Sequence, residues 1–571
     1  MRRLLIGLAF AALSAGPAPA QYLRGVNVAG AEFGDLVLPG IYGTHYTYNS
    51  EQTFDYFAAR NLNFIRLQVR WERLQPVLRG PLDPVNLGYL KQDIAWAKAA
   101  GAVVSLDAHN YGRYRINEGG SLKEYILDNA YNGVVKVSSA DLTDFWVRLS
   151  NEFRNEPAVL AYDIMNEPHD MGSADWRQIS QAVLNGVRGN MDTKLIMIPG
   201  NSYSSATFWP SVNGATGWIV DPANHFYYEA HEYFDHDYSG SYAWSFDQEL
   251  AANPQLANVG VTRLQPFLNW CKNNAAPCYL GEYGIPNNDA RWLTVLDGFL
   301  SALDTAGLPG TYWAAGEWWG SYPLSVQPQG DFAIDRPQTR TLLGHLSPGA
   351  FTSISAAADF GYAVAPGQLV SGYGAGLASG TQAAASLPLT TTLLDTTVRL
   401  TDGTGAVQQA PLILVSPGQI NYQVPIGTPT GRVDVAVLRG GAPVATGVLE
   451  VRALAPTIFS ADNSGTGIAA AQVVRIRPDN TQSYENTVSA PISFGADQLV
   501  LLLYGTGFDA AEATTVTLGT TQLAVQYAGA QHQFPGLDQI NVLLPRSLSG
   551  EVTVTVKVGA KTANAVTLLF Q

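Results

Sequence analysis

Cysteine is almost absent from this chain, with two in 571 residues. That scarcity excludes a small disulfide-stapled scaffold and a thiolate metal centre. The two that exist, Cys271 and Cys278 in "CKNNAAPC", leave both a local disulfide and a pair of buried thiols open, because sequence does not set their Cα separation. Basic residues are also short: 33 Lys and Arg against 47 Asp and Glu give a net charge of −14. Without a cationic face to neutralise phosphates, no nucleic-acid partner is expected. Long apolar runs are missing except at the start, where Leu4 to Leu13 follows Arg2 and Arg3 and precedes Ala18, Pro19 and Ala20. This run is too short to cross a bilayer and has the layout of a secretory signal over residues 1–20, so a secreted, extracellular protein with no membrane span is expected. Tryptophan is missing from one end only: all twelve lie at or before Trp319.

That break separates two kinds of pattern. From Gln21 to about residue 348, apolar runs of strand length ("NFIRLQV", "AVVSLDAH", "AVLAYDIMNE", "CYLGEYG", "GTYWAAG") alternate with segments of helical spacing such as "NLGYLKQDIAWAKAAG" and "DLTDFWVRLSNEFR". Eight such pairs predict an α/β fold, a (β/α)₈ TIM barrel, with its active site at the C-terminal ends of the strands. Beyond it, short alternating runs such as "GRVDVAVLRGG" and "GEVTVTVKVGA" predict an all-β tail. The tail repeats itself: "GQLVSGYGAGL" matches "DQLVLLLYGTGF", and "GQINYQVP" matches "DQINVLLP". Two tandem immunoglobulin-like sandwiches follow, over 349–455 and 456–571, with Tyr373 and Tyr504 in matching core positions and the tail docked closely on the barrel.

The strand ends carry the chemistry. They bring Arg66, His109 with Asn110, Asn166 with Glu167, His231 and Tyr233, Glu282, and Trp313 to one mouth. Glu167 and Glu282 each close an apolar strand, on strands four and seven, which face each other across a barrel. Paired carboxylates flanking one bond are what glycoside hydrolysis requires. Arg66 and Tyr233 are placed to hold Glu282 ionised, and Asn166 to bond a sugar hydroxyl. Trp313, with Tyr111, Trp71, Trp318 and Trp319 as further candidates, offers flat surfaces for sugar rings; packing between barrel strands and loops is the alternative for Trp318 and Trp319 and the favoured reading for Trp71. Glu72, Asp235, Asp237 and Glu317 read as solvated or loop-capping groups. His109 and His231 show no metal-binding spacing, so no metal is expected.

The run "RGVNVAG", "IRLQVRWERLQP", "LDAHNYGRY", "YDIMNEPHDM", "PGNSYSSA", "YEAHEYFDHDYSGSY", "GEYGIP" and "YWAAGEWWG" resembles family-five glycoside hydrolases, in particular their endo-β-1,4-glucanase (cellulase) branch. The resemblance implies a retaining mechanism with Glu167 as acid/base and Glu282 as nucleophile, a β-glucan substrate, and no cofactor. Arg66, His109, Asn166, His231, Tyr233 and Trp313 fall on the family's other invariant positions. Mannan, xyloglucan or mixed-linkage glucan as substrate, and a non-catalytic glycan-binding role, are the rival readings. The tail resembles an uncharacterised domain at the ends of large secreted bacterial proteins. Its lack of Trp and its six Tyr after residue 350 favour a spacer, stabiliser or cell-surface attachment module over a carbohydrate-binding one.

Overall fold

The computed structural model describes residues 23–329, 332, 335–357, 363–462, 465–508 and 513–571; the expected signal over 1–20 lies outside them. Eight parallel strands close into a barrel in sequence order: β1 (Arg24–Val28), β2 (Phe64–Val69), β3 (Val103–Ala108), β4 (Val159–Asp163), β5 (Leu195–Pro199), β6 (Phe226–His231), β7 (Cys278–Glu282) and β8 (Gly310–Ala315). Strands covered on both faces have no polar side to alternate with, which is why they read as near-continuous apolar runs. The intervening helices carry their own start and stop signals. Pro84–Ala100 begins on Asp83, whose side chain accepts from the Asn86 amide, with proline at the first helical position, and ends on Gly101 at φ 83°. An antiparallel hairpin, Arg113–Glu118 with Ser121–Ile126, is inserted after β3, turning at Gly119 and Gly120, both at positive φ.

The barrel interior is layered by chemistry. At its lower end Leu23, Phe64, Ala161, Leu195, Met197 and Tyr279 form an apolar plug. Above that plug the inward positions switch to Arg66, Asp107, Asp163 and Glu229, all without solvent exposure. A polar layer on an apolar floor, directly beneath the strand C-termini, aims the chemistry at the mouth.

Cys271 and Cys278 are joined in a disulfide that ties the helix Val259–Asn273 to the start of β7. Closing so short a loop removes chain entropy from the unfolded state worth about 2–3 kcal/mol. Reduction, or Cys271→Ala with Cys278→Ala, is expected to lower the free energy of unfolding by that amount while leaving the strand-seven carboxylate in place, checked by urea unfolding beside an activity assay.

The C-terminal region is rich in antiparallel sheets, with one short parallel pair at Ala363–Val364, and has two apolar cores of its own. Strands Leu369–Gly374 and Gln419–Gln423 pair so that Tyr373 faces Gln419, and Gln498–Thr506 pairs with Asp538–Leu543 so that Tyr504 faces Gln539. The repeat seen in sequence is therefore a repeat in register. The shared core role expected for the two tyrosines is not found. Tyr373 is buried with Ile354 against the barrel's apolar cluster, whereas Tyr504 is half-buried and donates to Gln472. The difference is docking: Asn61 donates to Phe351 O and Thr352 Oγ1 across the junction, so the first repeat has a neighbour on this face.

Candidate active site

Arg66 organises the mouth from the centre of β2. Its Nε donates to Asp163 Oδ2 at 2.6 Å, Nη1 to Glu282 Oε1 at 2.8 Å and to Asn27 at 3.0 Å, and Nη2 to Asn166 Oδ1 at 2.9 Å. Asp107 Oδ1 and Glu229 Oε1 stand at 3.2 and 3.3 Å. Burial works against the guanidinium charge, yet Asp107, Asp163, Glu229 and Glu282 around it hold its pKa well above the usual value.

The two expected carboxylates meet here. Glu282, almost fully buried, also accepts from Tyr233 Oη at 2.8 Å. Glu167 stands four residues past the end of β4, not on the strand itself, and takes φ 43° to turn toward the same space. Its Oε1 is 2.8 Å from His231 Nδ1, and Glu282 Oε2 is 3.6 Å from that nitrogen. Glu167, His231 and Glu282 each bring one polar atom within 4.8 Å of the others, the one such group among the described residues. Arg66 and Tyr233 donate to Glu282, and His231 Nδ1 stands between the two carboxylates, nearer to Glu167.

The asymmetry between the two carboxylates is chemical. Glu282 has two donors that favour its ionised form, Arg66 and Tyr233, the latter kept protonated because burial and then Glu282 raise its pKa well above 10. Glu167 is the more exposed of the pair and has only the histidine.

Burial opposes a charge on His231, but Glu282, Glu167 and Glu229 outweigh it and raise its pKa to about 10. A raised pKa means that the folded protein holds this proton more tightly than the unfolded chain. The stabilisation is full below about 6.5, the ordinary histidine value, and is lost as pH climbs from there to about 10. His231→Asn is expected to flatten that alkaline decline in melting temperature, measured across pH 6 to 10 against the unaltered protein.

The remaining expected site residues divide. Asn166 is fixed by Arg66, and His109 lies 2.7 Å from Asp107 and stacks on Trp313 at 5.5 Å, with Tyr111 Oη 3.1 Å from its other nitrogen. Trp318 is 41% exposed and open to a ligand, while Trp319 is half-buried, stacked on Tyr322 and edge-on to Trp313. One expectation fails, and the packing reading of Trp71 holds. Asn110 does not face the cleft: its amide accepts from the Trp71 backbone N–H and donates to Glu72 and Arg113 O, fastening β3 to the following loop. Trp71 has no solvent exposure, being packed on Tyr114 and Phe145, so it touches no sugar. Among the carboxylates read as capping groups, Asp235 and Glu317 do accept from backbone amides, although Asp235 and Glu72 are buried rather than solvated.

The structure adds residues that the sequence reading missed. Asp107 and Glu229 sit two positions before His109 and His231 on their strands, hence on the same face. Gly281 is another: a Cβ there would lie 1.8 Å from Glu229 Oε1, so only glycine lets β7 pass this close to β6. A cleft of about 570 Å³ runs from Glu167 and His231 past Tyr203, Phe208 and Tyr238. Tyr203, half exposed, stacks on His169 at 4.0 Å, and Phe208 lies against Tyr238 at 5.0 Å. A larger cleft, about 860 Å³, separates the barrel wall from the first repeat and does not reach Glu167 or Glu282.

Comparison with known proteins agrees with this geometry. Residues 22–318 match the family described as cellulase (glycosyl hydrolase family 5). The chain is 31% identical over 311 residues to endo-beta-1,4-glucanase B of Emericella nidulans, covering 53% of this chain and 85% of that protein. It is similarly 31% identical to endo-beta-1,4-glucanase B of Aspergillus niger, over 53% of this chain and 84% of that one. Among solved structures, endoglucanase Cel5A of Pseudomonas stutzeri in complex with cellobiose is 38% identical, covers 57% of this chain and 92% of its own, and superposes with a TM-score of 0.50. With more than half of its length matched by that family and the paired glutamates at the mouth of a closed eight-stranded barrel, the chain belongs to glycosyl hydrolase family 5, the cellulases.

Proposed function

We propose that this endo-β-1,4-glucanase cleaves internal bonds of cellulose or related β-glucans by double displacement, with Glu282 as nucleophile and Glu167 as acid/base. The observation that carries the assignment is the closeness of the two carboxylates, one oxygen of each within 4.8 Å, together with the donors that gather on Glu282 alone. Inverting enzymes need about 6.5–9.5 Å between carboxyl groups to admit a water, and retaining ones about 5–5.5 Å. In the first step Glu282 attacks the anomeric carbon while Glu167 gives its proton to the departing glycosidic oxygen. In the second, Glu167 takes a proton from water, which attacks the same carbon and frees Glu282. Asn166, fixed by Arg66, bonds a sugar hydroxyl, and Trp313 with exposed Trp318 supplies stacking faces.

Hydrolysis of carboxymethylcellulose, barley β-glucan, glucomannan and xyloglucan, followed by viscosity and by reducing ends, tests the substrate. A viscosity drop that outruns reducing-end release on the cellulose derivative is expected. Activity confined to glucomannan or xyloglucan would move the substrate while keeping the machinery.

The N-terminal apolar run supports export, and the register-matched repeats support a tail of the kind carried by secreted bacterial proteins, serving to space or attach the barrel at the cell surface. Fractionation of producing cells and blotting of medium, surface and interior checks both. Recovery in the cell interior alone would contradict them.

A further inference from the structure

Beneath the mouth, Asp107, Asp163 and Glu229 reach Arg66 from three different strands, and none is exposed. The charged and titratable groups facing this layer are Arg66 of β2, Asp107 of β3 with His109 just beyond it, Asp163 of β4, Glu229 and His231 of β6, and Tyr279 and Glu282 of β7, with Glu32, past the end of β1, buried near His109 and Asp107. Neutral Asn27 of β1 and Thr311 of β8 complete it. Suppose Glu167 is protonated for its acid step and both histidines carry charge. Even with Glu32 left aside, Asp107, Asp163, Glu229 and Glu282 would then set four negative charges against the three positive ones of Arg66, His109 and His231. An unmatched charge in a layer this dry costs several kcal/mol, and a carboxyl group avoids that cost by keeping its proton.

The hydrogen bonds say which pair keeps it. Asp107 Oδ1, Asp163 Oδ1 and Glu229 Oε2 are buried oxygens without a hydrogen-bond partner among the described residues, but Asp107 Oδ1 stands 3.2 Å from Arg66 Nη2, whereas Asp163 and Glu229 meet at one nitrogen, Arg66 Nε, with Oδ2 at 2.6 Å and Oε1 at 3.3 Å. Two carboxylates cannot bond to each other, whereas a carboxylic acid donates to a carboxylate. Glu229 Oε1 faces two cationic nitrogens, Arg66 Nε and His231 Nε2, each at 3.3 Å, while Asp163 faces only the guanidinium. Glu229 is therefore the better place for the charge and Asp163 for the proton.

We propose that Asp163 keeps its proton at neutral pH and donates a hydrogen bond through it to the Glu229 carboxylate, acting as a positioning residue for both catalytic carboxylates. This rests on the roles given above to Glu167 and Glu282. Burial agrees, pushing the Asp163 carboxyl far above the carboxylate range, with Arg66 opposing it and Glu229 and Asp107 adding to it. With Asp163 neutral, the guanidinium is shared among fewer charges and stays on Glu282. Glu229, fully charged, pins His231 by Nε2 and leaves Nδ1–H aimed at Glu167 and Glu282.

Asp163→Asn replaces the donated O–H with an N–H and leaves the layer's charge as it is, so it is expected to cost at least about tenfold less kcat than Glu229→Gln, with both limbs of the pH profile in place. Glu229→Gln removes a real charge and is expected to lower kcat more than about tenfold and move the alkaline limb, on which the general acid loses its proton, downward. The reverse pattern, equal damage from both, or no effect from either would overturn the proposal. Should Asp163→Asn fail to fold, infrared spectra of protein with carboxyl-labelled aspartate give the answer without any turnover. They are taken at pH 8 in an Asp93→Asn background, because Asp93 is another aspartate held well above its range by burial. One protonated aspartyl C=O band is expected, and its absence would sink the proposal whatever the fate of the catalytic assignment.

Discussion

Glu282→Gln is expected to leave less than about one part in 10⁴ of the turnover on soluble cellulose derivatives, with substrate affinity changed by no more than about threefold. The amide has the shape of the carboxylate and keeps an oxygen for Arg66 Nη1 at the 2.8 Å position, but it cannot form the bond to the anomeric carbon. Loss of kcat without loss of binding is the signature of a group needed only on the way to the transition state. Measuring kcat by reducing-end release and affinity by titration calorimetry with a cello-oligosaccharide separates the two. A variant retaining a tenth of the turnover would mean that another group attacks.

Arg66→Met is expected to damage both stability and rate. The arginine is wholly buried and touches Asp163, Glu282, Asn27 and Asn166 by hydrogen bonds, with Asp107 and Glu229 at ion-pair distance. Removing the cation from a buried ionic cluster costs about 3–5 kcal/mol, because the partner charges stay behind. The loss of the donor on the nucleophile should lower kcat by about 10²- to 10³-fold. The deficit has a pH signature. Carboxylates stripped of their cation take up protons in the folded state more readily than in the unfolded chain, so their folded pKa values rise. Stability is then present at acid pH and lost as pH increases through those raised values. Melting curves of the variant should approach those of the unaltered protein as pH falls from 8 to 5. Arg66→Lys should recover little rate, because a point charge cannot serve Asp163, Glu282 and Asn166 at once.

These expectations trace back to a pattern that could be read in the sequence, and the failures are as physical as the successes. Doubly covered strands must be apolar throughout, so "NFIRLQV" and "CYLGEYG" announced both the barrel and the polar residues standing out at strand ends. The buried ionic layer was not announced. Asp107, Asp163 and Glu229 looked like incidental charges in apolar runs, although the parity of Asp107 with His109 and of Glu229 with His231 placed them on the inward face. The inserted hairpin after β3 was also passed over, despite two glycines between alternating segments, because attention to helical spacing masked a two-residue turn. Asn110 departs from its expected place for another reason. Adjacency to a strand end says nothing about direction, and its side chain points away from the cleft to pin a loop, while Trp71 fills the core. Tyr373 and Tyr504 show the limit of internal repeats: identical register, different neighbours.

The most direct test of the whole account is to trap the intermediate. The protein is incubated with an activated 2-deoxy-2-fluoro-β-cellobioside, whose fluorine slows breakdown of a glycosyl-enzyme more than its formation, and the intact mass and peptide map are then read. The account predicts one added fluorocellobiosyl group, on the peptide containing Glu282 and on that carboxylate, with activity returning as the adduct hydrolyses. Attachment to any other residue, or no adduct in a preparation that actively cleaves cellulose derivatives, would contradict it.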